Sequence, residues 1–162
     1  MVMQGLAKSR EQAGSLLMSG KVFVNQKRVE KSGQQVPIDS KIDLKGKTHP
    51  WVSRGGIKLE KAILELNLNC ESVTALDIGA STGGFTDVLL ANGADKVYAV
   101  DVGYGQLDWK LRQDKRVVVK EKTNARFLTN QIIKDPPDAI VCDVSFISLK
   151  KVLPSGLKLL KN

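Results

Sequence analysis

Long apolar runs are missing from this sequence. The longest, such as Val117–Val119 and Ala139–Cys142, fall far short of the roughly 20 residues a bilayer-spanning helix needs. Met1 to Arg10 contain no apolar h-region, so no secretory signal peptide is expected. Cysteine is scarce: the two present, Cys70 and Cys142, lie far apart and fit no metal-ligand spacing. That excludes a zinc module and a disulfide scaffold and fits two reduced thiols in a cytoplasmic protein. No membrane partner and no metal are expected. Internal repeats and low-complexity segments are also lacking. What is present is 162 residues of which 42% are hydrophobic, enough for a core and too apolar for a disordered chain. The length suits one domain of moderate size, or a small module joined to a partial one.

The charge is unevenly distributed. Residues 1–61 carry 12 Lys and Arg against 5 Asp and Glu, whereas residues 62–162 carry 13 against 12. A basic first third ahead of a nearly neutral body is the pattern of a polyanion-binding module attached to something else; a basic surface kept for solubility is the alternative.

The element pattern divides the chain the same way. Ser9 and Gln12 fit a capping box for a helix from Arg10 to Met18, and Gly20 stands where a helix C-cap prefers glycine. Val22, Val24 and Val29 read as two short strands around a polar turn, Asn25 to Arg28, and Ile38, Ile42 and Leu44 as another strand or two. Residues 1–46 therefore form a small α+β module, residues 47–52 a linker and residues 53–162 a second domain. That domain opens with an apolar-periodic helix over Ile57 to Leu68. Strands at Val73–Gly79, Lys96–Val102, Val117–Lys122 and Ala139–Val144 then alternate with helices at Phe85–Asn92, Gln106–Arg112, Phe127–Ile133 and Leu149–Leu160. The alternation predicts an α/β fold, a Rossmann-like, doubly wound parallel sheet covered on both faces.

The ends of the strands carry the chemistry. The first runs into Asp77-Ile78-Gly79-Ala80-Ser81-Thr82-Gly83-Gly84-Phe85, a glycine-rich turn that lets a ligand approach the main chain. The second ends at Asp101, 22 residues beyond Gly79, where a carboxylate can accept hydrogen bonds from both hydroxyls of a ribose. The glycine spacing is not that of a dinucleotide fingerprint, and Asp77 would be a poor neighbour for a pyrophosphate. A carboxylate there suits a ligand with a sulfonium and an amine, which favours S-adenosylmethionine over a nicotinamide cofactor. Asn124, after the third strand, can meet an adenine edge or cap a helix. Asp143, after the fourth, can orient a nucleophile or cap the next turn, and Phe146 can wall the pocket.

Together these segments resemble one family. Trp51-Val52-Ser53-Arg54-Gly55-Gly56-Ile57-Lys58-Leu59, Asp77–Thr86, Tyr98–Leu107, Thr123–Arg126 and Cys142–Ser148 look like the TlyA (haemolysin A) rRNA methyltransferases, whose catalytic domain is similar to FtsJ-like 2′-O-methyltransferases. Residues 6–46 resemble their S4 RNA-binding domain. The resemblance implies S-adenosylmethionine as methyl donor and a cytidine ribose 2′-hydroxyl of ribosomal RNA, on the ribosomal subunits, as acceptor. It implies Lys58 and Asp143 as catalytic residues, from a Lys-Asp-Lys-Glu set, and a cofactor site of Asp77, Gly79, Ser81, Gly83, Gly84, Phe85, Asp101, Asn124 and Asp143. RNA would be held by Arg10, Lys21, Lys27, Arg28 and Arg54.

Two departures from the family pattern set further expectations. The second lysine and the glutamate of the catalytic set, and three more strands, belong to a region beyond Asn162, and Lys161 is not that lysine. The chain is therefore expected to be a truncated member, short of part of its first S4 helix as well, unable to turn over alone and with its fourth strand as an open sheet edge. An RNA-binding protein without catalysis is the alternative. A membrane-active haemolysin is disfavoured, because neither a spanning segment nor a strongly amphipathic helix is visible.

Overall fold

The structure, a computed structural model, describes residues 1–7, 9–29, 31–45 and 49–161. The chain divides into two compact units, Met1–Pro50 and Trp51–Asn162.

In the first unit, helix α1 (Arg10–Met18) begins where the Gln12 N–H donates to Ser9 Oγ at 3.2 Å. Its Ser19 cap is followed by Gly20 at φ +66°, a conformation that favours glycine, and the Arg28 guanidinium occupies the space a Cβ there would need. Strand β1 (Val22–Val24) pairs antiparallel with β2 (Lys27–Arg28) and β3 (Ile42–Leu44). The turn is tighter than expected: Asn25 and Gln26 both have positive φ, which makes a two-residue primed hairpin and moves Lys27 and Arg28 from the turn into a strand. Ile38 is in no strand and is 94% exposed. Leu17, Val22 and Val29 form the small core.

The second unit runs α2 (Gly55–Leu66), β4 (Thr74–Ile78), α3 (Gly84–Ala91), β5 (Lys96–Val100), α4 (Trp109–Arg112), β6 (Val117–Lys120), a 3-10 turn (Ala125–Phe127), β7 (Ala139–Cys142) and α5 (Leu149–Leu157). The four strands are parallel in the order β6-β5-β4-β7. The chain steps outward from β4 to β5 and β6, then returns to the other side of β4 for β7. A reversal of this kind opens a crevice at the carboxyl edge of the sheet. Among the described residues β7 is paired on one side only, the open edge expected for the fourth strand.

Alternate strand residues feed two cores. Ala75, Val97 and Ala99 pack with Leu59, Ile63, Val88 and Leu89 of α2 and α3. Leu76, Ile78, Tyr98 and Val100 pack with Leu128, Ile133, Val152 and Leu159 on the other face. Burial on both faces is why the strands read as continuous apolar runs.

Four expectations need correction. The linker ends sooner than residue 52. Lys47 and Thr48 lie outside the described residues, but Trp51 is buried in the second unit's core and the Val52 N–H donates to Asp87 Oδ2 at 2.8 Å. Room for the Trp51 indole comes from Gly56, where a Cβ would stand 2.6 Å from the ring. The helix expected over Gln106–Arg112 is only the four residues of α4, capped by Asp108, which accepts from the Lys110 N–H at 3.0 Å. The helix expected over Phe127–Ile133 is replaced by the 3-10 turn and further turns, because Leu128 is extended and Thr129 and Asn130 favour turns over helix. Finally, α2 and α5 are amphipathic, and each buries apolar residues: Leu59 and Ile63 of α2, and Val152 of α5. No helix among the described residues is long and apolar enough to cross a membrane.

The contact between Gly56 and Trp51 gives a direct test of the fold. Gly56→Ala is expected to push the indole out of place and to destabilise the second unit by about 1–3 kcal/mol, the usual cost of overpacking. Urea unfolding followed by tryptophan fluorescence would show it as a lower midpoint and a red-shifted native spectrum.

Candidate functional site

The loops at the carboxyl edge of the sheet are held against one another by backbone contacts. Gly79, at φ +83°, donates its N–H to the Val100 carbonyl at 2.9 Å. A Cβ on Gly79 would lie 2.9 Å from the Asp143 carbonyl oxygen, so only glycine lets the β4 loop rest on the β7 loop. Asp101 ties the β4 and β5 loops together: one carboxylate oxygen accepts the Ser81 N–H at 2.8 Å and the other the Gly103 N–H at 2.7 Å. Leu107 and Leu111 cover Gly83, at φ +93°, and Ser81 Oγ bonds Gln106 at 3.2 Å.

Two cavities open between these loops. The larger, about 380 Å³, is bounded by Ile78, Val100, Asp101, Asn124, Asp143 and Ile147, among others. That is within the usual range for small-molecule sites, and its walls are mainly apolar with a few polar groups, as such sites are. The smaller, about 230 Å³, is polar and is bounded by Ser53, Lys58, Thr82, Phe85, Asp143 and Ser145, among others. Gly79, Ser81, Asp143 and Ser145 belong to both, so the two cavities share a wall. At that wall the Lys58 Nζ donates to both carboxylate oxygens of Asp143, at 2.9 and 2.7 Å. These two residues are 85 positions apart in sequence and come from the first turns of α2 and the end of β7.

Asp77 sits beneath the loop and bounds neither cavity. It is 1% exposed, and one of its oxygens accepts a 2.7 Å hydrogen bond from Thr86 Oγ1. The other, Oδ1, has no partner among the described residues. Burial pushes its carboxyl up to about 7; the negative charges of Asp101 and Asp143 add to this, and the Thr86 hydrogen bonds oppose it. A buried, unpartnered carboxylate oxygen beside two further carboxylates favours a cationic ligand nearby.

The remaining expected residues are placed as follows. Gly84 and Phe85 bound the smaller cavity, and Gly83 neither. Gly84 is where α3 presses on the start of α2, since a Cβ there would be 2.7 Å from the Gly56 nitrogen. Asn124 does both things expected of it: it bounds the larger cavity, and its Oδ1 caps the 3-10 turn by accepting the Arg126 N–H at 3.1 Å. Phe146 is at the rim of the larger cavity but fully exposed, with a left-handed backbone at φ +65°. Arg54 precedes α2 and bounds neither cavity. In the first unit Arg28 lies over Gly20 beside Lys21, with Lys27 next to it in β2, whereas Arg10 starts the nine-residue α1 whose far end leads to Gly20. Sequence reasoning missed Thr86, Gln106 and Ser53. Thr86 is the third residue of α3, within its first turn, so a hydroxyl following the glycines was the available signal; Gln106 and Ser53 carried none.

Comparison with known proteins shows what the two units are similar to. The model of the FtsJ-like methyltransferase family matches residues 51–161, and that of the S4 domain matches residues 1–42. The YqxC protein of Bacillus subtilis is 50% identical over 155 residues, covering 95% of this chain and 55% of its own length. Hemolysin A of Brachyspira hyodysenteriae is 45% identical over 160 residues, 98% of this chain and 66% of its own. The 16S/23S rRNA (cytidine-2′-O)-methyltransferase TlyA of Mycobacterium tuberculosis is 47% identical over 156 residues, 96% of this chain and 58% of its own. The chain thus spans 55–66% of the length of these relatives. A solved structure of a hemolysin-named protein from Streptococcus thermophilus superposes with a TM-score of 0.73 at 48% identity, over 99% of this chain and 59% of that one.

The Asp77 environment predicts a pH dependence. Its folded value of about 7 lies above the ordinary 3.8, so the folded state holds the proton more tightly. The stability this contributes is complete below pH 3.8 and is lost as pH rises through about 7. Asp77→Asn is expected to remove that decline, a difference of up to about 4 kcal/mol between the two limits. Denaturant unfolding of both proteins from pH 4 to pH 8 checks it; parallel curves would mean Asp77 is ionised throughout.

Proposed function

Because the chain belongs to the FtsJ-like methyltransferase family and carries an S4 domain ahead of that region, we propose that it serves 2′-O-methylation of cytidine ribose in ribosomal RNA, in the cytoplasm, with S-adenosylmethionine as donor. One observation carries the reading: Asp143 walls both cavities and is ion-paired with Lys58, so a cofactor in one cavity and a sugar in the other would meet at that pair. The residues present fit the cofactor. The larger cavity has apolar sides for an adenine and a carboxylate for a ribose, and the unpartnered Asp77 oxygen lies under its loop.

When bound, S-adenosylmethionine supplies a methyl group activated by its sulfonium. The rest is done by the chain. Asp101, already fixed by two backbone N–H groups, keeps lone pairs for the ribose hydroxyls. Asn124 uses only its carbonyl oxygen for its cap, and its amide nitrogen serves the adenine edge. Asp77, Asp101 and Asp143 together make the field negative where a cation must sit. A sugar hydroxyl is a poor nucleophile, so it must be oriented and lose its proton as it attacks. Asp143 accepts that hydroxyl's hydrogen bond, and Lys58 steadies Asp143 and the charge that develops on the oxygen. Arg10, Lys21, Lys27 and Arg28 of the S4 unit, with Arg54, contact RNA phosphates and bring the ribosomal substrate to the site.

Calorimetric titration of S-adenosylmethionine into the purified chain tests this. Saturable binding is expected, weakened at least about tenfold by Asp101→Ala, which removes a hydrogen-bonded charged group. Lys58→Ala is expected to leave cofactor affinity within a small factor of wild type. Only Lys58 and Asp143 of the four-residue set are matched here, so binding without turnover on bare ribosomal RNA is the expected pattern for these residues alone. A folded chain that takes up no cofactor would overturn the reading.

A further inference from the structure

A second groove in the methyltransferase unit lies between the 3-10 turn and α5, and neither Lys58 nor Asp143 lines it. It is open, about 490 Å³, and its walls include Arg126, Thr129, Asn130, Lys151, Ser155 and Lys158. No carboxylate lines it, and from Leu149 to Lys161 the sequence holds no acidic residue at all. Among the described residues, Arg126, Lys151 and Lys158 take part in no ion pair. The nearest acidic residues in sequence are engaged elsewhere: Glu121 by Arg112 and Asp143 by Lys58. Residues 62–162 carry 13 basic against 12 acidic side chains, so three unpaired cations around one groove are a local excess and not a reflection of overall charge.

The groove has two further features. Its floor is fixed, because Ser155 Oγ donates to the Ala125 carbonyl at 2.6 Å and locks α5 to the 3-10 turn. Phe127, next in sequence to the groove-lining Arg126, is 66% exposed, with the Arg126 guanidinium 5.3 Å from its ring centre. Cations lining a concave track with an exposed aromatic ring at the edge are the elements of single-stranded nucleic-acid binding: phosphates meet the cations and a base stacks on the ring. An acidic peptide would use the cations but not the ring, and a flat lipid surface would not reach into a groove.

We infer that this groove, formed by Arg126, Lys151 and Lys158 with the exposed Phe127 ring beside Arg126, binds a single-stranded stretch of RNA backbone, so that the methyltransferase unit holds RNA independently of the S4 domain. The inference rests on the proposed RNA substrate and adds a site to it.

The test measures binding of the whole chain to a short, labelled, single-stranded RNA of mixed sequence over a range of salt concentrations. Each single-strand phosphate contact contributes about 0.7 to the slope of log affinity against log salt. The double variant Lys151→Ala/Lys158→Ala is expected to lower that slope by about 1–1.5. Phe127→Leu is expected to weaken binding about fivefold or more with little change of slope, as loss of one base stack should. Lys61→Ala, on α2 and paired with Glu65, is expected to change neither. An unchanged slope in the double variant, with its melting curve intact, would overturn the inference. So would equal competition by polyglutamate, which would make the groove a general polyanion or acidic-protein site. Because S-adenosylmethionine binding is read separately, loss of cofactor binding in the unmodified chain would count against the methyltransferase reading and not against the groove.

Discussion

The close approach of two backbones at Gly79 is the constraint on which the site depends. The β4 loop can rest on the Asp143 carbonyl only because residue 79 has no Cβ, and that contact makes one wall serve two cavities. A side chain at 79 would separate the loops and carry Asp143 away from Asp101 and Asn124. The parallel order β6-β5-β4-β7 is what brings those loops together, since the chain's reversal sets β4 and β7 side by side with their carboxyl ends aligned. The two-faced core below supplies the rigidity, so the loops are irregular while their roots are fixed.

Much of this was legible in the sequence, and for identifiable reasons. Buried parallel strands write themselves as apolar runs, and Asp77, Asp101, Asn124 and Asp143 stand at or just beyond the ends of such runs, so the carboxyl edge could be read before any coordinates. Lys58 and Asp143 were expected in one site through the family resemblance, and the structure brings them into contact. What failed were features set by tertiary packing. The glycine-rich turn gave no sign that Asp77 would be buried under the loop against Thr86, bounding neither cavity, because a strand's last inward residue faces the helix that covers it. The helix expected after β6 was an apolar pattern with too few residues to make two turns, and burial of Leu128 and Ile133 is achieved by turns instead. Trp51 looked like linker because nothing local to it reveals that Gly56, five residues on, leaves a slot for its ring.

Asp77 shows how function and stability pull apart here. A carboxyl that is 1% exposed, with one oxygen unpartnered, is a costly group to bury, and an apolar or amide side chain of similar size would avoid the penalty. Its neighbours do not relieve it, for Asp101 and Asp143 carry the same charge. A positive charge near it would offset that cost by stabilising the ionised Asp77 carboxylate, which is what the proposed sulfonium-bearing cofactor would supply.

The Lys58–Asp143 pair leads to the same conclusion from the opposite direction. Its side chains are 66% and 40% exposed, and exposed pairs contribute only about 0–1 kcal/mol once solvent screening and side-chain entropy are counted. Stability therefore gives little reason to hold a lysine of α2 against an aspartate of β7. Placement does give a reason: the pair stands on the single wall common to an apolar cavity and a polar one. Under the proposed function, weak binding between the two is an advantage, because a hydroxyl entering the polar cavity would take over one of the carboxylate oxygens without a large energetic loss. A buried, tightly satisfied pair at the same point would be more stable and would leave no oxygen for the substrate.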